Sequence, residues 1–334
     1  MRSGARSVDG MSHAIRFSRT GGPEVLEYVE VPDVPPGPGE VLVESVGAGV
    51  NFIDTYRRSG VYDIELPAGA GSEGAGRVIE LGEGVHDLSV GDRVAWVDAP
   101  ASYAERVVVK AQKTIPVPDA VSDEVAAGFG LQGLTAEYLA RSTYPAGEGT
   151  TALVHAGAGG VGLVLTQLLV HAGATVITTV GSEQKAELSR QAGSSLVLRY
   201  DQDVDIAAAA REFTGGDGVS VVYDGVGKST FDASLASLEL RGTLVLFGGS
   251  SGQVPPFDIQ RLNSGGSLFL TRPTLAHYTR TRAELLERAA HVLGGVRDGW
   301  LSFRIGATFP LRDAADAHRA LESRATTGKV VLLP

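Results

Sequence analysis

The chain contains no cysteine among its 334 residues, and its seven histidines are scattered. Without cysteine there is no disulfide bond, no thiolate nucleophile and no cysteine ligand for zinc. No two histidines stand four residues apart, so the H-x-x-x-H spacing of a helical metal pair is also missing. We therefore expect no metal site. A formal net charge of −10 disfavours nucleic acid as the main partner.

One long uncharged segment, residues 149–182, could span a bilayer by its length. A glycine cluster interrupts it, and its pattern of strand, helix and strand favours a buried unit instead. Residues 1–10 contain two arginines but no apolar run, so we expect a flexible N-terminal extension rather than a signal peptide. We expect a cytoplasmic protein that does not bind membranes.

The most informative feature is a glycine-rich turn between an apolar strand and an apolar helix within residues 151–172. Gly157, Gly159 and Gly162 have the G-x-G-x-x-G spacing. The first glycine permits a tight turn, the second lets the backbone approach a pyrophosphate, and the third lets helix and strand pack closely. A second strand at residues 175–180 favours a dinucleotide site over the alternative, a turn without a ligand.

The end of that second strand indicates which cofactor binds. An NAD site places Asp or Glu there to bind the ribose 2′-hydroxyl, whereas this chain has Gly181 and Ser182. Glu183 comes later and is expected to begin the next helix. Gly181 leaves room for a phosphate, Ser182 can donate a hydrogen bond, and Lys185 adds positive charge. We therefore predict NADPH; the alternative for Lys185 is a solvated surface lysine.

The length and pattern of the chain predict two domains of an α/β protein. Residues 11–132 hold short strands broken by proline and glycine, as in an antiparallel barrel. Residues 133–273 alternate strands and helices, which predicts a doubly wound sheet of six parallel strands. Residues 274–334 are expected to return to the first domain, because a completed sheet has no place for them. The predicted parallel strands are residues 151–155, 174–180, 196–200, 220–224, 243–247 and 268–271.

Seven segments of the chain occur in an informative order: residues 51–60, 71–76, 133–136, 222–227, 247–252, 271–273 and 321–326. With these segments and this order of elements, nearly the whole chain resembles the medium-chain dehydrogenase/reductase superfamily, and more narrowly the zinc-free NADPH:quinone oxidoreductases related to zeta-crystallin. Zinc-dependent relatives carry Cys where Asn51 stands and His where Ser72 stands, which agrees with the metal-free interpretation. The resemblance implies a GroES-like β-barrel catalytic domain and a Rossmann domain that binds NADPH.

The resemblance also implies the site residues. Asn51, Tyr56 and Thr135 are expected around the nicotinamide, and Arg324 is expected to close the site. The loops after the fifth and sixth parallel strands also belong to it, since ligands bind at the carboxyl edge of such sheets. The full cofactor-binding set is Asn51, Tyr56, Thr135, Gly159, Gly160, Val161, Gly181, Ser182, Lys185, Tyr200, Phe247, Gly248, Ser250, Leu270, Thr271, Arg272 and Arg324.

Structural roles are the alternatives for several residues. Asn51 could cap a helix that begins at Ile53, Asp54 could support the first turn of that helix, and Arg324 could be a surface residue. Glu73 is expected to form structural hydrogen bonds rather than to act as an acid. Close relatives often have Ser where this chain has Gly225, which puts a side-chain contact to the cofactor in doubt there.

The predicted reaction is hydride transfer from NADPH to a quinone, in which the protein supplies orientation and a dry site. Tyr56 or Tyr62 is expected to hydrogen-bond the developing phenolate. One alternative is an NADPH-dependent reductase of enones or alkenals, and another is a non-enzymatic NADPH-binding redox sensor or RNA-binding protein. We also expect a homodimer, formed by pairing at the edge of the sixth parallel strand.

Overall fold

A computed structural model of the chain describes residues 10–334, and the extension predicted at residues 1–10 therefore lies almost entirely outside the described residues. The described strands are β1 (Met11–Phe17), β2 (Glu27–Pro32), β3 (Glu40–Val50), β4 (Ala68–Gly69), β5 (Glu73–Leu81), β6 (Arg93–Val97), β7 (Arg106–Lys110), β8 (Thr114–Pro116), β9 (Thr151–Val154), β10 (Thr175–Val180), β11 (Leu196–Arg199), β12 (Val219–Asp224), β13 (Leu238–Leu246), β14 (Phe269–Thr271), β15 (Ile305–Pro310) and β16 (Lys329–Leu333). The described α-helices are α1 (Phe52–Ser59), α2 (Asp123–Tyr138), α3 (Gly160–His171), α4 (Glu183–Gln191), α5 (Ile206–Phe213), α6 (Phe231–Ser237), α7 (Gln260–Ser264), α8 (Leu275–Tyr278), α9 (Arg282–Arg297) and α10 (Ala314–Glu322).

The described residues form two compact units. Unit 1 contains residues 10–131, Thr281–Leu293 and Ile305–Pro334. Unit 2 contains Gln132–Arg280 and Gly294–Arg304. The return to the first unit therefore begins at residue 281 rather than at the predicted residue 274, and residues 294–304 stay with unit 2.

Unit 1 is built mainly from antiparallel strands. Seven of its strands form one sheet in the order β15-β16-β3-β5-β6-β8, with β7 paired to β3, and β2-β1-β4 form a second sheet. The long strand β3 pairs antiparallel with β5, β7 and β16. Val41, Val43 and Trp96 are fully buried in its core, and the indole N–H of Trp96 donates to Ser102 Oγ at 2.9 Å. The polar atom of the Trp96 side chain is therefore hydrogen-bonded within the core.

Unit 2 is a sheet of six parallel strands in the order β11-β10-β9-β12-β13-β14, which confirms the predicted doubly wound sheet. The strand order reverses between β9 and β12, and ligands bind such sheets outside the carboxyl ends of the strands at this reversal. Leu153, Ile177 and Val222 in the central strands are completely buried. Such burial on both faces explains why these strands carry adjacent apolar residues rather than a strict apolar–polar alternation.

Candidate active site

The glycine turn connects β9 to α3 at the carboxyl edge of the unit 2 sheet. A Cβ added at Gly157 would lie 2.6 Å from Thr178, and one at Gly162 would lie 2.3 Å from the backbone oxygen of Ala156. Protein packing alone therefore requires glycine at both positions. A Cβ at Gly159 would meet nothing but Ala156, whose oxygen would be 3.1 Å away. The space in front of Gly159 is otherwise open to a ligand.

The N-terminus of α3 is suited to an anion. Its N-cap is Gly159, and no side chain caps it. The first N–H groups of a helix have no acceptor within the helix, and the helix dipole gives this end a partial positive charge. Gly160 and Val161, at this end, are both half-buried. The residues present therefore fit the diphosphate of the predicted dinucleotide.

A buried hydrogen-bond network that we did not predict lies next to this turn. Asp224 Oδ1, at the end of β12, accepts hydrogen bonds from the N–H groups of Val226 at 2.8 Å and Gly227 at 2.9 Å. Ser234 Oγ donates to Asp224 Oδ2 at 2.8 Å and lies 3.0 Å from His155 Nε2. Since the Ser234 proton is used toward Asp224, His155 Nε2 must carry the proton it donates.

The other ring nitrogen of His155 completes this network. His155 Nδ1 lies 3.0 Å from Thr179 Oγ1, so it accepts from that hydroxyl. Burial lowers the pKa of His155, which keeps the ring neutral in this arrangement. The network ties together the carboxyl ends of β9, β10 and β12, the three strands around the switch point. The only signal in the sequence was the aspartate that ends an apolar strand and precedes a glycine.

The predicted phosphate pocket lies at the end of β10. A Cβ at Gly181 would lie 2.5 Å from the hydroxyl oxygen of Tyr200, so the Tyr200 ring packs against Gly181. Ser182 is the N-cap of α4, and its Oγ accepts from the backbone N–H of Lys185 at 3.3 Å. Lys185 is half-buried and Tyr200 is exposed. The structure thus brings Gly181, Ser182 and Lys185, which we predicted around the phosphate, next to Tyr200, another residue of the predicted cofactor-binding set.

Glu183 is the first residue of α4, as predicted. Its carboxylate accepts hydrogen bonds from Arg190 at 2.8 Å and from Arg199 at 2.7 Å. These two bonds hold the pKa of Glu183 below its usual value. Arg199 also binds Asp201, at 2.7 Å. The Glu183 carboxylate is therefore engaged in ion pairs with Arg190 and Arg199.

The loop after β13 turns at Phe247, whose N–H donates to the backbone oxygen of Asp224 at 2.9 Å. A Cβ at Gly225 would lie 2.8 Å from the Phe247 ring, so this ring packs directly against the glycine. Gly248 and Ser250 follow and are half-buried. In β14, Leu270 is exposed and Thr271 is half-buried, and Arg272, the first residue after this strand, is exposed. Thr135 lies in the last turn of α2 and is also half-buried.

Unit 1 contains a buried cluster around Asn51, the N-cap of α1. The Asn51 side chain donates to Glu73 Oε1 at 2.7 Å and to the Gly49 oxygen at 3.2 Å, and it accepts from Lys329 Nζ at 2.6 Å. Lys329 also forms a salt bridge with Glu73, whose second oxygen accepts from the Leu131 N–H at 2.7 Å. Glu73 therefore has the structural role that we predicted, and Lys329 is a partner that we did not foresee.

A second chain of hydrogen bonds converges on Asp54. This carboxylate accepts from the Asn51 N–H at 3.0 Å, Ser72 Oγ at 2.5 Å and Tyr103 OH at 2.9 Å. Burial raises the pKa of Asp54, and the bonds from Ser72 and Tyr103 oppose that shift. Asp54 thus supports the first turn of α1, as predicted, and it also binds side chains from other parts of unit 1.

The same chain continues beyond Tyr103. Because Tyr103 donates to Asp54, its oxygen accepts from His318 Nε2 at 3.3 Å, and His318 Nδ1 accepts from Arg58 at 3.2 Å. Arg58 also binds Glu322 at 2.6 Å. Burial and the nearby Arg58 lower the pKa of His318 to about 3. The ring is therefore neutral, in the tautomer that this direction of hydrogen bonding requires.

The predicted catalytic tyrosines lie together on unit 1. The Tyr56 and Tyr62 rings meet edge to face, with centroids 5.5 Å apart, and the Phe52 ring lies 6.2 Å from that of Tyr56. Tyr62 is 39% exposed, so this aromatic group is open on one side. Arg324 lies just after α10, exposed, with a positive φ of 58°. Its predicted role and those of the other site residues stay predictions.

Within residues 10–334 no group of three or more His, Asp and Glu side chains could hold a metal ion. No helix in that range is both long and apolar enough to cross a membrane.

Comparisons with known proteins agree with this architecture. The alcohol dehydrogenase GroES-like domain matches residues 37–143, and the zinc-binding dehydrogenase family matches residues 160–291. The chain is 44% identical over 326 residues to the quinone oxidoreductase of Pseudomonas aeruginosa, covering 97% of this chain and 100% of that protein. It is 41% identical over 332 residues to a 2-haloacrylate reductase from Burkholderia, covering 97% and 99%. The Escherichia coli quinone oxidoreductase complexed with NADPH has 42% identity and a TM-score of 0.94, covering 96% of this chain and 100% of that one.

Proposed function

The chain belongs to the quinone oxidoreductase family of the medium-chain dehydrogenase/reductase superfamily, and we propose that it reduces quinones with NADPH and without a metal. The observation that carries the proposal is the uncapped N-terminus of α3 beside the open space at Gly159, which fits an anionic diphosphate. A relative solved with NADPH supports the same cofactor, and the relatives named quinone oxidoreductase support a quinone as acceptor.

The cofactor is assigned to unit 2 residues by the chemistry of each part. Backbone N–H groups at Gly160 and Val161 would bind the diphosphate, and Gly159, whose own N–H donates to the Ala156 oxygen, would leave the space for it. Ser182 and Lys185 would bind the 2′-phosphate, the lysine as a charge-assisted donor, and Tyr200 would pack against the adenosine. The remaining proposed contacts, carried over from the family resemblance, are Thr135, Phe247, Gly248, Ser250, Leu270, Thr271 and Arg272 in unit 2, and Asn51, Tyr56 and Arg324 in unit 1.

NADPH, when bound, supplies a hydride from C4 of its nicotinamide. The protein contributes orientation and exclusion of water, which replace a bimolecular encounter by a fixed geometry. The open aromatic group of Phe52, Tyr56 and Tyr62 offers flat apolar surface and hydroxyl groups. We propose that it holds the quinone ring and that Tyr56 or Tyr62 hydrogen-bonds the oxygen that becomes negative.

A second candidate function is reduction of an activated carbon–carbon double bond. The relative named 2-haloacrylate reductase favours it, because its name implies a substrate with such a bond. This reaction needs a proton donor at carbon, and Tyr56 and Tyr62 are the hydroxyl groups that could serve. It would use the same cofactor site, so the acceptor alone separates the two functions.

The deciding experiment is steady-state oxidation of NADPH with a panel of quinones and enones. We expect turnover with 1,4-benzoquinone to exceed turnover with methyl vinyl ketone and with 2-chloroacrylate. Faster turnover with an enone or haloacrylate would support the second function. A protein that binds NADPH yet reduces no acceptor of either kind would contradict both.

We also propose that the enzyme is a cytoplasmic homodimer. The edge strand β14 exposes 61% of Phe269, and the neighbouring β13 exposes 76% of Leu240. An open sheet edge with apolar side chains is a template for pairing with a second copy. Analytical ultracentrifugation should give a dimer for the wild type and a monomer for Leu240→Lys combined with Phe269→Lys. A monomeric wild type would contradict this proposal.

A further inference from the structure

Helix α1 divides its side chains between two faces. Asp54 and Arg58 are buried on one face, whereas Ile53, Tyr56 and Arg57 are half-buried. Residues three and four positions apart on a helix lie side by side, so Ile53, Tyr56 and Arg57 share the second face. Arg57 therefore lies on the face of α1 that also carries the proposed substrate-binding Tyr56.

One hydrogen bond fixes the guanidinium of Arg57. Its Nη1 donates to Ser72 Oγ at 2.8 Å, and that hydroxyl donates in turn to Asp54 at 2.5 Å. The Ser72 proton points toward Asp54, so the Ser72 oxygen is a good acceptor for a cation. A positive charge is thus held beside Ser72.

The other cations of this cluster are already used. The Lys329 side chain is 3% exposed and is bound by Asn51 and Glu73. The Arg58 side chain is also 3% exposed and is bound by Glu322 and His318. Arg57, by contrast, is half-buried, and within the described residues its hydrogen-bond partner is Ser72 alone. A guanidinium has five N–H donors, so most donors of Arg57 remain for a ligand.

We propose that Arg57 is a catalytic residue of the quinone reduction, in which its guanidinium hydrogen-bonds the quinone oxygen that becomes negatively charged. This inference rests on the proposed function. A hydride leaves nicotinamide C4 with its electron pair and bonds to the quinone, so NADPH is oxidised to NADP⁺ and the quinone is reduced to the hydroquinone monoanion. Water then protonates the anion. Arg57 keeps its own proton throughout, because a guanidinium stays charged at any working pH.

This role suits a cluster whose other two cations, Lys329 and Arg58, are already bound to carboxylates. A preorganised donor aimed at a developing oxyanion acts without reorganisation, and losing one such donor typically costs about a hundredfold to a thousandfold in turnover. A fixed cation stabilises the monoanion more than it stabilises the neutral quinone. The effect should therefore appear in kcat more than in KM.

The first test compares Arg57→Gln and Arg57→Lys with the matched control Arg77→Gln, which removes an exposed arginine of β5. With 1,4-benzoquinone we expect Arg57→Gln to lose about a hundredfold in kcat, Arg57→Lys to lose less, and Arg77→Gln to match the wild type. NADPH affinity, measured by fluorescence titration, should be unchanged in all three. Added guanidinium chloride should restore part of the activity of Arg57→Ala.

A second readout needs no turnover. 4-Nitrophenol resembles the phenolate product, and its absorbance reports its ionisation when it is bound to the protein with NADP⁺. We expect the apparent pKa of bound 4-nitrophenol to be about one unit lower in the wild type than in Arg57→Gln, and Arg77→Gln to match the wild type. Equal values in the wild type and Arg57→Gln, or Arg57→Gln with wild-type kcat, would overturn the role of Arg57.

Failure of the proposed function looks different. A wild type that binds NADPH but reduces no quinone would contradict the proposed function. The nitrophenol titration would then still show whether Arg57 binds a phenolate oxygen. A loss in Arg57→Ala that guanidinium does not restore, together with an unchanged nitrophenol pKa in Arg57→Gln, would mean a merely structural arginine and would also overturn the inference.

Discussion

Each of the two units contains a buried polar cluster, and the clusters differ in what they leave for a ligand. In unit 2, Asp224 and His155 bind neighbouring loops and strands, and the N-terminus of α3 beside them stays uncapped. In unit 1, Glu73 and Lys329 neutralise each other. Unit 2 therefore offers open backbone N–H donors to an anion. In the unit 1 cluster, most charged side chains form ion pairs with one another.

Gly159→Val should break this comparison most strongly. Its Cβ would lie 3.1 Å from the oxygen of Ala156, and the rest of the side chain would occupy the space assigned to the diphosphate. We expect no measurable NADPH binding by fluorescence titration, with a normal circular dichroism spectrum. Gly147→Val is the control, because a Cβ there would meet nothing closer than 3.8 Å. Undiminished NADPH binding by Gly159→Val would remove the basis of the cofactor assignment.

Lys329→Met tests the self-neutralised cluster of unit 1. The substitution leaves the Glu73 carboxylate buried without its cation, which typically costs about 3 to 5 kcal/mol of unfolding free energy. Adding Glu73→Gln to the same protein should restore part of that loss. Urea denaturation measures both. Arg190→Met breaks an exposed ion pair of unit 2 and should have a much smaller effect. A loss below about 1 kcal/mol for Lys329→Met would contradict the account of this cluster.

Tyr56→Phe and Tyr62→Phe test whether a hydroxyl is an obligatory donor. With 1,4-benzoquinone each should cost less than about tenfold in turnover, or about 1.4 kcal/mol, because a quinone needs orientation more than it needs a proton. Enone turnover by the same variants should suffer more, since its carbanion-like product must be protonated. A hundredfold loss with benzoquinone in either variant would favour the enone reductase.

A further expected effect is a pH dependence of the unfolding free energy that His318 causes. Its pKa is about 3 in the folded protein and 6.5 when unperturbed, so the unfolded chain takes up this proton first as the pH falls. The stability from this site is complete above pH 6.5 and is lost as the pH falls toward 3, by up to about 1.4 kcal/mol per pH unit. His318→Gln should flatten the unfolding free energy between these limits, whereas exposed His86→Gln should not. Parallel pH profiles for the wild type and His318→Gln would contradict this.

The sequence predicted the fold of unit 2 well, because strands, glycine turns and helices there are local patterns. It also predicted that Gly159, Gly181 and Ser182 lie at or just before the N-termini of helices. The hydrogen-bond partners of Asn51 could not be predicted from such local patterns. Lys329 is separated from Asn51 by 278 positions, and a lysine in a closing strand has no pattern that reveals its partner.

Arg57 was missed for a related reason. Arg57 follows Tyr56 in α1. The periodic pattern of a helix shows which residues share a face, but it does not show which polar side chain on a half-exposed face hydrogen-bonds to the interior. The bond to Ser72 became visible only when α1 and the start of β5 were placed together. Likewise, the ion pair between Glu183 and Arg199 depends on the register of β10 with β11, which local sequence patterns do not show.

The most direct test of the central claim, that unit 2 binds NADPH for hydride transfer to a quinone, is kcat/KM for NADPH and NADH with 1,4-benzoquinone. It should be measured in the wild type and in Lys185→Ala. We predict that the wild type strongly prefers NADPH. Lys185→Ala should lose about 1 to 3 kcal/mol of that preference while its activity with NADH hardly changes, as expected for one charge-assisted contact to a phosphate. A wild type that uses NADH as well as NADPH would contradict the account.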